Sequence, residues 1–151
     1  MTNKKMGFPE SMRRGFSLTE TIISLSILAL IAAAVSTSFL NNAPKYRLQS
    51  AVREVHSRLN YARFKAIFEG EKIRVKFYPT GYALEKYDED LKEWKQERKF
   101  PLQGVTLQAN NNPVFHPGGT VSNLASITLS NSWGAYRITL AISGRIKTVR
   151  L

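Results

Sequence analysis

The sequence predicts an α+β protein: a long N-terminal transmembrane and amphipathic helix followed by an antiparallel β-sheet domain. Three observations predict it. Residues 21–40 carry no charge. Apolar residues then recur at spacings of three and four from Leu48 to Ala66, the mark of one helical face. From Ile73 onward the apolar pattern alternates with a period of two, the mark of half-buried strands. A chain of 151 residues has room for one core besides the apolar segment.

Residues 1–15 read as a basic leader, with Lys4, Lys5, Arg13 and Arg14 against the single acid Glu10. Residues 16–40 read as the transmembrane and assembly helix. At about 1.5 Å per residue, its uncharged run covers roughly 30 Å, the thickness of a bilayer's hydrocarbon core. Basic residues before the run and a long domain after it predict a single-pass protein with a cytoplasmic N-terminus and an exported C-terminal domain. Glu20 breaks the apolar character between Phe16, Leu18, Ile22 and Ile23. A carboxylate inside a membrane costs about 2.5–3.5 kcal/mol on insertion scales, so it requires a partner. The run itself offers no cation. Arg13-Arg14 ahead of Phe16 also resembles a twin-arginine export signal, and the alanines at 32–34 a signal-peptidase site. Such signals have apolar regions of about 7–15 residues and seldom carry a glutamate at their start, while a plain membrane anchor explains the length but leaves Glu20 without a purpose.

Residues 41–69 read as an amphipathic continuation of the helix. Asn41, Asn42 and Pro44 interrupt the apolar run, and Pro44 is a candidate kink. Leu48, Val52, Val55, Leu59, Ala62 and Ala66 line one face, while Arg47, Arg53, Glu54, Arg58 and Arg63 fall largely off it. Gly70 is the expected stop. Residues 70–151 then read as a β-rich globular domain. Strands are predicted over 73–77, 82–87, 94–100, 105–108, 126–130, 136–142 and 146–151. Pro79-Thr80-Gly81, Asn110-Asn111-Asn112-Pro113 and Pro117-Gly118-Gly119 supply turn and loop chemistry.

Arg13-Arg14-Gly15-Phe16-Ser17-Leu18-Thr19-Glu20 ahead of an apolar run resembles the prepilin cleavage and assembly motif. Toward the other end, Phe115-His116-Pro117-Gly118-Gly119, Ser126-Ile127-Thr128-Leu129, Tyr136-Arg137-Ile138 and Ser143-Gly144-Arg145-Ile146-Lys147 are similar to the C-terminal pattern of the GspH/FimT family of minor pseudopilins. The resemblance implies that a membrane aspartyl prepilin peptidase removes residues 1–15 by cutting between Gly15 and Phe16. It implies N-methylation of the new Phe16 amine and an assembly role for Glu20. The Phe16 ammonium of a neighbouring subunit would supply the cation that Glu20 lacks. The helix proline usual in pilins is absent, and Thr37 stands in its place. The implied function is a minor subunit of a type II secretion pseudopilus or type IV pilus, acting in filament assembly at or near the tip for protein secretion. Its partners would be other major and minor pilins or pseudopilins, the peptidase, and inner-membrane lipid before assembly. The expected location is the bacterial inner membrane, with a periplasmic C-terminal domain, and then the filament.

A formal charge of +11 favours anionic partners. With no cysteine there is neither a disulfide framework nor a thiolate metal site. Residues 98–151 contain Arg98, Lys99, Arg137, Arg145, Lys147 and Arg150 and no acid. If Ser143 and Gly144 turn a hairpin, Arg145 and Lys147 project from one face of the last strand, spaced to meet successive phosphates. In some pilus-type members of the family a C-terminal Gly-Arg-x-Arg element binds DNA. Here Lys147 replaces the second arginine and loses the bidentate fork. Arg137, Arg145, Lys147 and Arg150 are thus candidate contacts to double-stranded DNA, the alternative being a DNA-binding minor pilin for natural transformation. A solvated basic face, or one meeting an acidic neighbour, stands beside that. His56 and His116 lack further ligands at metal-like spacing and read as surface or packing residues. Asp88, Glu89 and Asp90 lack the glycine and terminal glutamate of a calcium loop and read as a solvated turn, with calcium as the other option. No nucleophile motif, phosphate loop or acid/base pair is present. The expectation is a protein that is not an enzyme and holds no cofactor or metal.

Overall fold

The computed structural model describes residues 16–151, except for the side chains of residues 34–42. The leader over 1–15, Gly15 included, lies outside the described residues. Helix α1 runs Leu18–Glu69 with Pro44 inside it. Nine strands follow: β1 (Ile73–Tyr78), β2 (Gly81–Asp88), β3 (Glu93–Pro101), β4 (Thr106–Ala109), β5 (Val114–Phe115), β6 (Val121–Ser122), β7 (Ser126–Asn131), β8 (Gly134–Leu140) and β9 (Ile146–Arg150). The fold is thus the predicted one, a helix followed by antiparallel sheet. The chain divides after Leu40 into two units.

In the first unit the helix begins on a cap. The Ser17 hydroxyl accepts a hydrogen bond from the Glu20 N–H at 3.2 Å, satisfying one of the free donors of the first turn. Phe16, Leu18, Ile22, Ile23, Leu25, Ile27, Leu28, Leu30 and Ile31 are all more than half exposed. Among the described residues no helix is long and apolar enough to cross a membrane, in contrast with the span predicted over 16–40. Ser17, Thr19, Glu20, Thr21, Ser24 and Ser26 dilute the described part of the run, and side chains 34–40 fall outside it. The hydroxyls of Thr21 and Ser26 donate to the carbonyls of Ser17 and Ile22 one turn back, at 3.2 and 2.8 Å, which keeps their polarity inside the helix.

In the second unit the helix passes through Asn41, Asn42 and Pro44 without stopping. Leu48, Val52, Val55, Leu59, Ala62 and Ala66, the predicted stripe, are buried together with Ala51. Gly70 ends the helix with φ +71°, a conformation that an L side chain resists. The buried stripe packs on a core drawn from two antiparallel sheets. One has the order β3-β2-β1-β5-β6 and the other β4-β7-β8-β9. Ile73, Val75, Tyr82 and Leu84 face the helix from the first, and Leu107, Ile127, Leu129, Ile138 and Leu140 from the second.

All seven predicted strands are present with slightly different ends. Two more, β5 and β6, fall where only loop chemistry was legible. Each has two residues, too few to display a period, yet β5 pairs with β1 and carries the fully buried Phe115. A register shift at Leu84 and Glu85 of β2 turns Glu85 into a buried carboxylate on the first sheet. Arg74 neutralises it and also lies over the Trp94 ring at 4.3 Å. The helix is tied to this sheet by Tyr82, whose hydroxyl donates to Glu54 at 2.9 Å. Burial and that hydrogen bond push the phenol well above its usual range, so it remains a donor at any physiological pH.

Candidate functional site

At the start of the helix, Phe16 and Glu20 are both exposed. Among the described residues Glu20 makes no ion pair. Ser17-Leu18-Thr19-Glu20 fits the capping-box pattern of a serine followed three residues later by a glutamate. The first-turn position also sets the Glu20 carboxylate at the positive end of the helix dipole. The predicted need of Glu20 for a cation overlooked this local role, although Ser-x-x-Glu was legible in the sequence. The exposed carboxylate is left open to a partner from outside the chain.

The second candidate lies on the outer face of the β4-β7-β8-β9 sheet. Residues directly opposite in an antiparallel pair share a face. Ile138 is buried, so its partner Thr148 faces inward, and Thr148 meets the His56 Nδ1 at 3.2 Å. The intervening residues face outward. Arg137 pairs with Val149 and Thr139 with Lys147, while the Ala141 N–H donates to the Arg145 carbonyl at 2.9 Å. Arg145 and Lys147 thus share one face, as predicted from their spacing, and Arg137 joins them. Across the sheet the same face continues through Thr128 and Gln108 in one row and Ser126 in another. It is a hydroxyl-rich, basic surface without an acid.

Arg150 does not join that group. It pairs with Tyr136 on the inward-facing set, and its guanidinium lies 4.3 Å from the Trp133 ring centroid. The two hairpin ends are also far apart. Asn131, in the β7–β8 turn, donates to the Pro44 carbonyl, whereas the β8–β9 turn packs on Arg63. Pro44 and Arg63 lie nineteen residues apart on one helix, about 28 Å at 1.5 Å per residue.

Arg63 was read only as a residue off the apolar face. Its Nε donates to the Gly119 carbonyl at 3.1 Å. A Cβ on Gly144 would lie 2.5 Å from the same Nε, and one on Gly119 would lie 3.7 Å from the guanidinium. Both glycines have positive φ, +78° and +77°. Arg63 therefore fills the space that these two turns leave by lacking side chains, and it fixes the turn from which Arg145 extends. No sequence spacing signals that contact, because it joins residues from three separate elements.

Charge is divided between the sheets. Eight of the eleven acids lie between Glu69 and Glu97, and every ion pair among the described residues uses one of them. Arg137, Arg145 and Lys147 pair with none. In the β2–β3 turn, Asp88 accepts from the N–H groups of Asp90 and Leu91, both at 3.0 Å, and pairs with Lys95 at 2.6 Å. The Lys95 ammonium and then those N–H groups hold its carboxyl below the usual range. With its oxygens so used, Asp88 is a turn-former. No three acidic or imidazole groups among the described residues stand close enough to hold a metal ion. His56 and His116 are separately engaged, His116 Nε2 with the Ser122 hydroxyl at 2.8 Å.

The profile of the prokaryotic N-terminal methylation motif matches residues 11–36. No curated protein matches the chain in sequence. The structure is similar to that of the minor pseudopilin EpsH from the type II secretion system of Vibrio cholerae, with TM-score 0.60 and 14% identity over 69% of this chain and 97% of that one. It is also similar to the type IV minor pilin FimU of Pseudomonas aeruginosa, with TM-score 0.57 and 18% identity over 70% of this chain and 90% of that one. The motif is the prokaryotic N-terminal methylation motif, and the fold is that of minor pseudopilins and type IV minor pilins.

The contact between Arg63 and Gly144 predicts a coupling that can be measured. Gly144→Ala alone should destabilise the protein by about 1–3 kcal/mol, through the overlap with Arg63 and the positive φ. In an Arg63→Ala chain the same change should cost only the conformational part, about 1 kcal/mol. Denaturant unfolding of the double-mutant cycle tests this, and strictly additive costs would contradict it.

Proposed function

We propose that this chain is a minor pilin or pseudopilin of GspH/FimT type, a non-enzymatic subunit that acts in assembly of a type II secretion pseudopilus or type IV pilus. The observation that carries the proposal is the methylation motif at residues 11–36, which overlaps the start of a helix whose large apolar side chains from Leu18 to Ile31 are exposed, on a chain with the fold of minor pseudopilins. An uncovered apolar helix must be covered by lipid or by other helices. In the proposed cycle the helix over 16–40 rests in the inner membrane with its start in the cytoplasm and the β-rich unit outside. Prepilin peptidase cuts between Gly15 and Phe16, and Phe16 is N-methylated.

The energetics assign two separate roles to the helix. Burying a large aliphatic side chain contributes about 1.5–3 kcal/mol, so the exposed residues from Phe16 to Ile31 supply the drive for bundle formation. That drive has no register. Glu20 supplies one, because an unpaired buried carboxylate costs several kcal/mol and the Phe16 ammonium of a neighbouring subunit removes the cost at one stagger. Ala29, Ala32, Ala33 and Ala34 permit close approach of helices.

A second reading has its own observation. Arg137, Arg145 and Lys147 share an outward face, without ion pairs among the described residues, on a sheet free of acid. That supports contact with the phosphates of double-stranded DNA, as in an uptake subunit. Arg150, stacked on Trp133 at the other end, is not part of this surface.

Glu20→Ala should leave cleavage after Gly15 intact and strongly reduce incorporation into filaments, read by immunoblotting of sheared filaments. Normal incorporation would contradict the charge-pairing account. For the DNA reading, Arg145→Ala with Lys147→Ala should abolish a salt-sensitive mobility shift, while Arg150→Ala should leave it nearly unchanged. Three phosphate contacts imply a slope of about −3 in log K against log salt. Absence of any shift at low salt would remove the DNA reading.

A further inference from the structure

We propose that the end of the β-rich unit at which the helix enters it is a binding surface for anionic phospholipid headgroups. Four segments converge there. Asn131, in the β7–β8 turn, donates through Nδ2 to the carbonyls of Pro44 at 2.7 Å and Gly104 at 3.4 Å, and its Oδ1 accepts from the Trp133 N–H at 2.9 Å. A Cβ on Gly104 would lie 3.2 Å from the Arg47 side chain, so the loop between β3 and β4 rests against that arginine. The end of β9 completes the group. The Arg150 guanidinium is 4.3 Å from the Trp133 ring centroid and the Lys45 ammonium 5.6 Å from it.

The result is an indole flanked by two cations, with Arg47 against the adjoining Gly104 loop and the exposed Tyr46 next to Lys45 on the helix. No carboxylate belongs to this group. The nearest acid along the helix is Glu54, about two turns beyond Arg47, and eight others lie between residues 69 and 97. None of Lys45, Arg47 and Arg150 has an ion pair among the described residues. Tryptophan and tyrosine interleaved with lysine and arginine are the chemistry of the membrane–water interface. The rings sit at headgroup depth, and the cations meet phosphodiester oxygens.

Position along the chain selects lipid over other anions. Lys45 follows the uncharged run of residues 21–40 by five residues, less than about 10 Å of helix. If that run is in a bilayer, Lys45, Tyr46 and Arg47 are held at its surface by the covalent chain, and Trp133 and Arg150 with them. The Arg145–Lys147 face, about 28 Å further along the helix, is not so held. The inference rests on the membrane-inserted state proposed above. It adds that, before assembly, the β-rich unit is docked on the bilayer by a defined patch that must release when the subunit is extracted.

The test uses the full chain with Trp94→Phe, which leaves Trp133 as the sole tryptophan. It is reconstituted in vesicles of phosphatidylcholine alone or of phosphatidylcholine with phosphatidylglycerol, each carrying a nitroxide-labelled lipid at headgroup depth. Quenching of Trp133 should be severalfold stronger in the anionic vesicles and should weaken with added salt. Lys45→Gln with Arg47→Gln should reduce it to the neutral-lipid level, whereas Arg145→Gln with Lys147→Gln should leave it unchanged. An alkaline wash separates the two ideas. Chain that washes out overturns the inserted helix and this surface with it. Chain that stays but is quenched equally in both vesicles overturns the surface alone. Equal loss of duplex DNA binding in the Lys45/Arg47 variant would assign the patch to nucleic acid and overturn it as well.

Discussion

Burial of one helical face against two antiparallel sheets is the constraint on which the β-rich unit depends. Leu48, Val55, Leu59, Ala62 and Ala66 are fully covered, and both sheets contribute to the cover. Small residues toward the helix end let the sheets approach closely, and polar ties finish the fit: Tyr82 to Glu54, His56 to Thr148, Asn131 to Pro44 and Arg63 to Gly119. Residues 16–31 contrast with that stripe. The large apolar side chains there are exposed among the described residues. One part of α1 completes a fold, and the described apolar side chains of the other are exposed.

Charge is partitioned as sharply as hydrophobicity. Acids and bases compensate each other on the β3-β2-β1-β5-β6 sheet, where Glu85 is buried under Arg74 and Lys72, Lys86 and Lys95 are paired. The other sheet has only bases. They form two groups, one beside the helix entry and one beside Arg63, about 28 Å apart along the helix. A single count of C-terminal basic residues merges them. The geometry distributes them to opposite ends of the sheet.

Much of this was legible in the sequence, for physical reasons. The periods of 3.6 and 2 located α1 and the longer strands, because burial on one face imposes those periods. Gly70 stopped the helix where a left-handed residue was needed. The spacing of Arg145 and Lys147 placed them on one face. What was not legible involved contacts distant in sequence or elements too short for a period. β5 and β6 have two residues each. Arg63 looked like a solvated arginine because its partners, Gly119 and Gly144, lie 56 and 81 residues away. Arg150 looked like a third phosphate contact because alternation along β9 was not applied to it. The Ser17 cap was visible as Ser17-x-x-Glu20 and was passed over for the more unusual need of Glu20 for a cation.

The central claim is that residues 1–15 are a leader whose removal creates the ammonium that Glu20 lacks. Intact-mass measurement of the protein isolated from cells that carry its own assembly machinery tests it most directly. The account predicts a chain that begins at Phe16 and carries one added methyl group. A chain retaining the leader, or one cut after the alanines at 32–34, would contradict it.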